Sequence, residues 1–132
     1  DGMWLFPPSA IMTPGAQINI ATTALGFFNK YGFYPHYVLF GAGVQMIPYI
    51  TWTPNISFSL ANAGDQVLLL NPADQWVDGV VWGTGILTGT VPCVAIDPVQ
   101  YPLGNPSIRR EPLGKDTDNC PNDFVIDTST LP

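Results

Sequence analysis

Positive charge is scarce in this sequence: four Lys and Arg stand against ten Asp and Glu in 132 residues, a net charge of −6 at pH 7. A nucleic-acid binder neutralises about 6–10 phosphates with cations, so DNA and RNA are poor partners. An anionic membrane surface is no better served. Histidine occurs once, at His36, and glutamate once, at Glu111. A serine or cysteine nucleophile ordinarily needs a histidine base beside it, and the sequence has no Gly-x-Ser-x-Gly elbow. His36, set between Tyr34-Pro35 and Tyr37, reads as a loop histidine half covered by tyrosines. One histidine and two cysteines, the latter with about 26 residues between them, also fail the clustered spacing of zinc sites. No apolar run approaches the roughly 20 residues of a spanning helix, and the opening Asp1-Gly2-Met3 lacks the basic stretch of a secretion signal. Membrane insertion is therefore not expected. Because it does not begin with Met, the chain reads as processed or as a piece excised from a longer protein.

What is present points to a folded β-rich domain. An apolar fraction of 46% with only 11% charged residues leaves ample surface to bury against the entropy of ordering. The length fits one domain over residues 1–132, without internal repeats. Thirteen glycines and fourteen prolines make about 20% of the chain, against about 12% in average usage. The prolines are scattered, so they punctuate short elements.

Residues 1–6 read as a short apolar strand stopped by Pro7-Pro8, and Gln17 to Ala21 alternates polar and apolar like a half-buried strand. Ala24, Phe27, Phe28 and Tyr31 fall at helical spacing and predict the only α-helix, with Thr22 or Thr23 as its cap and Gly32 just past its end. Its aromatic face is expected to pack against a sheet. Tyr37 to Phe40 is a strand; Met46 to Trp52 is apolar but carries Pro48, which suits an edge or a loop. Ile56, Phe58 and Leu60 alternate with polar residues and predict a strand with those three buried. The best hairpin is Gln66–Leu70, the turn Asn71-Pro72-Ala73-Asp74, then Trp76–Trp82. Ser107–Arg109 and Asp123–Asp127 are the last strands, after a proline-rich stretch. Short strands, rich turn chemistry and one minor helix indicate an antiparallel β-sandwich or barrel.

Three constellations could carry chemistry. Cys93 and Cys120 are an even count, and joining them would close a loop of about 28 residues, worth roughly 3.5 kcal/mol in the chain-entropy model; a disulfide is favoured over two unpaired thiols. Asp116, Asp118 and Asp123 resemble the opening of a calcium loop, but the glycine and the distal glutamate of an EF-hand are missing. Pairing of Arg110 with Asp116 or Asp118 is the favoured account, and calcium held by the three carboxylates is the alternative. Trp4, Trp52, Trp76 and Trp82 serve either as core or as a carbohydrate-stacking platform of a binding or glycan-hydrolysing domain, with Trp76 and Trp82 on one side of their strand by parity. Asn55-Ile56-Ser57 matches a glycosylation sequon.

Gly64-Asp65-Gln66-Val67-Leu68-Leu69-Leu70-Asn71-Pro72 followed by Trp76-Val77-Asp78-Gly79-Val80-Val81-Trp82-Gly83 resembles the hairpin of lamin-tail domains. Ser107-Ile108-Arg109-Arg110, then Asp116-Thr117-Asp118-Asn119 and Asp123-Phe124, is similar to that family's ending. In the first half, Phe6-Pro7, Met12 to Gly15, Ile18 and Ile20-Ala21 fit its bacterial members; the usual first-strand motif is represented by Gly2-Met3-Trp4-Leu5 with one extra residue. The resemblance implies an immunoglobulin-like antiparallel β-sandwich with one short helix and no catalytic residues. Such a domain would be a structural or binding module of a secreted or cell-surface protein, facing a protein or a cell-surface polymer. Arg110, Asp116, Asp118 and Asp123 match the family's closing motif, and the physical account is that Arg110 bridges the last loop by charge-assisted hydrogen bonds while Phe124 plugs the sandwich.

Overall fold

The computed structural model describes residues 2–51, 54, 56–61, 63–85 and 107–127. Trp52, Asn55 and Cys93 lie outside the described residues. The elements among the described residues are mostly strands, with two short helices. Its strands pair two by two into small sheets, three antiparallel and one parallel. The chain divides into two compact units, one formed by the residues up to Ser59 and the other by those from Leu60.

The first unit holds β1 (Trp4–Leu5), β2 (Ile20–Thr23), α1 (Ala24–Tyr31), β3 (Tyr37–Phe40) and β4 (Ile47–Pro48). β1 pairs antiparallel with β4, Trp4 facing Pro48; a two-stranded edge tolerates the missing proline N–H, as the sequence suggests. β2 and β3 run parallel, Ile20 facing Tyr37 and Thr23 facing Phe40. Parallel neighbours need a crossover, and α1 supplies it. The helix begins where the Thr23 hydroxyl accepts from the Gly26 N–H at 3.3 Å. It ends where Gly32 takes a φ of 80°, open to glycine without a Cβ penalty, and donates to the Phe28 carbonyl. Val38, Leu39 and Met46 are buried, each worth about 1.5–3 kcal/mol of transfer free energy.

Three expectations fail here. The β2 strand lies at Ile20–Thr23, three residues beyond where the alternation starts, because pairing with β3 sets it. The predicted aromatic face of α1 is not buried as a whole: Phe27 and Tyr31 are half-buried and Phe28 is exposed. They meet each other instead: Phe27 contacts Tyr31 and Phe33, and Phe28 stacks on Tyr34 with centroids 4.7 Å apart. Residues 56–60 form no strand, and Ile56, Phe58 and Leu60 are exposed. Alternation says which side of a strand would be apolar, but a ladder also needs a partner backbone.

The second unit holds β5 (Gly64–Leu70), β6 (Trp76–Gly83), β7 (Ser107–Arg110), α2 (Cys120–Asp123) and β8 (Phe124–Asp127). β5 and β6 form the anticipated hairpin. At its start a Cβ on Gly64 would collide with the backbone nitrogens of Thr84 and Gly85. At its tip the Asp74 N–H donates to the Asn71 carbonyl, Asp74 is left-handed at φ 58°, and the Asn71 side chain accepts from the N–H groups of Ala73 and Gln75. This is a type I turn followed by a left-handed residue.

Leu69 faces Asp78, but Leu70 faces Trp76, leaving Val77 as an extra residue in β6. That bulge breaks the parity on which a shared face for the two tryptophans rests. Trp76 and Trp82 face Leu70 and Asp65, an odd number of β5 positions apart, so they lie on opposite faces. Trp82 is buried, with its indole N–H donating to the Ala61 carbonyl at 2.9 Å. α2 is a second helix where the sequence reading has only one; Asn119 caps it and Pro121 sits in its first turn. Asp123 thereby ends a helix instead of opening a strand.

Candidate functional site

The polar groups singled out in the sequence converge on one side chain of β7. β7 and β8 pair so that Arg110 faces Phe124, and the guanidinium carbon lies 4.8 Å from the centre of that half-buried ring. Arg110 Nη2 donates to both carboxylate oxygens of Asp78 on β6, at 2.6 and 2.8 Å. Nη1 donates to the Lys115 carbonyl at 2.6 Å and pairs with Asp116 at 2.9 Å. The side chain is only 16% exposed. Burial by itself would pull its pKa down; the hydrogen bond it donates to Asp116 and the charges of Asp78, Asp116 and Asp123 overcome this and hold it above its ordinary value.

Asp123 is the buried carboxylate of the group. Its Oδ2 accepts from the N–H groups of Thr117 at 2.8 Å and Asn119 at 3.2 Å, and its Oδ1 from the Thr117 hydroxyl at 2.7 Å. Lys115 Nζ stands 3.9 Å from Oδ1 and donates to the Asn122 carbonyl. Burial pushes the carboxyl pKa up, but the three donated bonds and Lys115 outweigh it, so the group stays below the usual aspartate value. Further along the ladder, Arg109 pairs with Glu111 and, at 2.9 Å, with Asp127. That cation is half exposed, and exposed pairs are worth about 0–1 kcal/mol.

The structure brings Arg110, Asp116 and Phe124 together, with the Phe124 ring lying under the guanidinium. It does not bring Asp118 to Arg110: no ion pair joins them among the described residues. Asp118 takes a left-handed φ of 54°, and its N–H points back to Asp116 Oδ1. Asp78 was missed as a partner. The signal was there, since an aspartate inside an otherwise apolar strand calls for a compensating cation. As for the calcium set, Asp116 is held by Arg110, Asp123 by Thr117, Asn119 and Lys115, and no group of His, Cys, Asp or Glu suited to a metal occurs among the described residues.

Cys120 opens α2, is buried and is disulfide-bonded; Cys93, the other cysteine of the sequence, lies outside the described residues. The Cys120 sulfur rests 3.9 Å from the Gly79 carbonyl of β6. In the first unit, His36 accepts the Asn19 N–H on Nδ1 at 3.1 Å, while the N–H groups of His36 and Tyr37 both donate to the Asn19 carbonyl. The ring thus serves to dock the chain entering β2 against β3. Of the tryptophans, Trp4 and Trp76 are half-buried and Trp82 is buried.

Compared with known proteins, the chain matches no family model, no curated relative and no solved structure. No helix among the described residues is long and apolar enough to cross a membrane. The described basic residues of the second unit all sit in ion pairs with carboxylates that position loops and strands.

Proposed function

We propose that the chain is a non-catalytic structural or binding module of lamin-tail type, a single immunoglobulin-like sandwich domain acting as scaffold or adhesion unit in a secreted or cell-surface protein. The observation that supports this is the use made of Arg110. Its guanidinium is engaged by Asp78, Asp116, the Lys115 carbonyl and the Phe124 ring, so the most buried cation of the closing motif holds secondary structure together and is not presented to a substrate. Glu111, the one glutamate, is likewise spent on an ion pair with Arg109. The partner class that suits such a module is a protein or a cell-surface polymer.

The test combines a negative and a positive arm. The purified chain should release nothing from chromogenic ester, phosphoester and glycoside substrates, and should bind an immobilised bacterial cell-wall polymer or surface-protein preparation saturably. Its melting should be unchanged by millimolar calcium or by chelator. Turnover that disappears in Asp116→Asn or Glu111→Gln would overturn the reading in favour of a hydrolase. A calcium-dependent rise in melting temperature, lost in Asp118→Asn, would overturn it in favour of an ion-binding module.

A further inference from the structure

His36 is the single histidine of the sequence, and histidine is the side chain whose ordinary titration falls between pH 5 and 8. Its place in the fold gives that titration a consequence. β2 and β3 are joined through the α1 crossover and run parallel from Ile20 and Tyr37 onward. Three hydrogen bonds to Asn19 close the open end of this crossover. The Asn19 carbonyl accepts from the N–H groups of His36 at 3.0 Å and Tyr37 at 3.1 Å, and the Asn19 N–H donates to Nδ1 of the His36 ring at 3.1 Å. The first two are indifferent to the charge of the ring. The third is not, because a neutral imidazole accepts at one nitrogen and donates at the other, whereas an imidazolium carries an N–H on both. A proton on Nδ1 sets two donors against each other.

We propose that the His36 ring is a pH-sensitive clasp, holding the chain that enters β2 while the imidazole is neutral and releasing it when the ring is protonated. The ring is exposed, so a proton reaches Nδ1 without any opening of the core. Its surroundings give an imidazolium nothing in exchange for the lost bond. The described part of the first unit contains no Asp or Glu, and no ion pair among the described residues includes His36. The other titratable side chains of that part are Lys30, which lies over the Tyr31 ring, and Tyr31, Tyr34, Tyr37 and Tyr49. Lysine and tyrosine change charge near pH 10, which leaves the interval around neutrality to histidine. The bond is therefore complete above the ordinary histidine value of about 6.5 and is lost as pH falls below it. Because the Asn19 carbonyl keeps its two donors, the opening is local: the segment before Asn19 loosens while the β2–β3 ladder stays paired. This inference is independent of the scaffold reading, since it draws only on the first unit.

The experiment is an NMR titration of the intact chain from about pH 7.5 to about pH 5, above the range in which ordinary carboxylates titrate, for wild type, His36→Asn and His36→Ala. Asparagine offers an uncharged oxygen acceptor in place of Nδ1 and cannot be protonated in this range. At the upper pH the wild-type ring should show the Nε2–H tautomer. Between the two ends, protection of the Asn19 amide, corrected for intrinsic exchange, should fall by about three- to tenfold, the span of one hydrogen bond. His36→Asn should keep that protection at both ends, and His36→Ala should lack it at both. The Val38 and Met46 amides, bonded to Val44 and Val38 carbonyls, should not change in any of the three. An Nδ1–H tautomer, a wild-type Asn19 amide equally protected at both ends, or the same loss in His36→Asn would each overturn the proposal. Should the variants fail to fold, the wild-type titration decides: an Asn19 amide shift with the same midpoint as the ring's own carbon-bound protons supports the clasp, and an amide that does not follow the ring refutes it.

Discussion

Arg110 and Asp78 stand 32 residues apart in the chain, yet one guanidinium nitrogen reaches both oxygens of the carboxylate at 2.6 and 2.8 Å. The contact ties the β5–β6 hairpin to the β7–β8 ladder, which no strand pairing joins among the described residues. An arginine fork is the side chain suited to this: it bonds Asp78, Asp116 and a carbonyl at once while its face lies on Phe124. Removing it leaves two carboxylates facing one another with no cation between them.

Arg110→Ala should therefore lower stability by about 2 kcal/mol, below the 3–5 kcal/mol of a fully buried pair because Asp78 and Asp116 are themselves roughly half exposed. Lys115→Ala should cost clearly less, since that side chain is more exposed and its distance to Asp123 is 3.9 Å. Arg110→Lys should fall between the two, keeping the charge and losing the fork. Thermal melts of the three variants check the order, and equal, negligible losses for the two alanine variants would disprove the clamp.

Coupling energies separate the partners of Arg110. In double-mutant cycles Arg110/Asp78 and Arg110/Asp116 should each show an interaction of about 0.5–3 kcal/mol, whereas Arg110/Asp118 should be additive. Denaturant titrations of the single and paired variants supply the numbers. A larger coupling to Asp118 than to Asp78 would restore the pairing that the sequence suggests.

Much of this arrangement was legible in the sequence because its signals are local. Thr23, Gly32, the Asn71-Pro72 turn and the strand at Tyr37–Phe40 are each dictated by residues within a few positions. Arg110 with Asp116 was legible too, being separated only by a short loop. What escaped was whatever needs the partner to be known. Ile56, Phe58 and Leu60 alternate correctly, yet among the described residues they are exposed and join no strand. The Val77 bulge is invisible without the register of β5, and it turns Trp76 to the other face. Asp78 belongs to Arg110 only once two separate hairpins are brought together. The aromatic face of α1 read as core because periodicity reports amphipathicity, not what lies opposite.

Acid should loosen the closing loop through Asp123. Its carboxyl sits below the ordinary value of 3.8 in the folded chain, so the charged form favours folding. That stabilisation is fully present above the unfolded value and is lost as pH falls through it and then through the lower folded value. Melting temperature should hold near neutrality and drop below about pH 4, and Asp123→Asn should flatten that acid limb while lowering stability at pH 7. An acid limb unchanged in Asp123→Asn would show that another carboxylate controls it. Arg110 moves the other way, above its ordinary value, so its own titration lies far above the acid range and adds nothing to the acid transition.

Cys120 offers the last check on how the closing motif is held. It is buried at the start of α2, against the Gly79 carbonyl and one residue beyond the cap Asn119, and it is disulfide-bonded. A bond to Cys93, the other cysteine of the sequence, would close a loop of about 28 residues and contribute roughly 3.5 kcal/mol by restricting the unfolded state. Reduction, or Cys120→Ser in the oxidised protein, should therefore lower stability by about that amount, and more than Arg110→Ala does. Because Cys120 lies three residues before Asp123, the loss should be accompanied by faster amide exchange at Thr117 and Asn119, whose N–H groups the carboxylate holds. A non-reduced digest should yield one cross-linked peptide pair containing both cysteines. Free thiols on both, or a melt indifferent to reductant, would assign the rigidity of the loop to Asp123 and Arg110 alone.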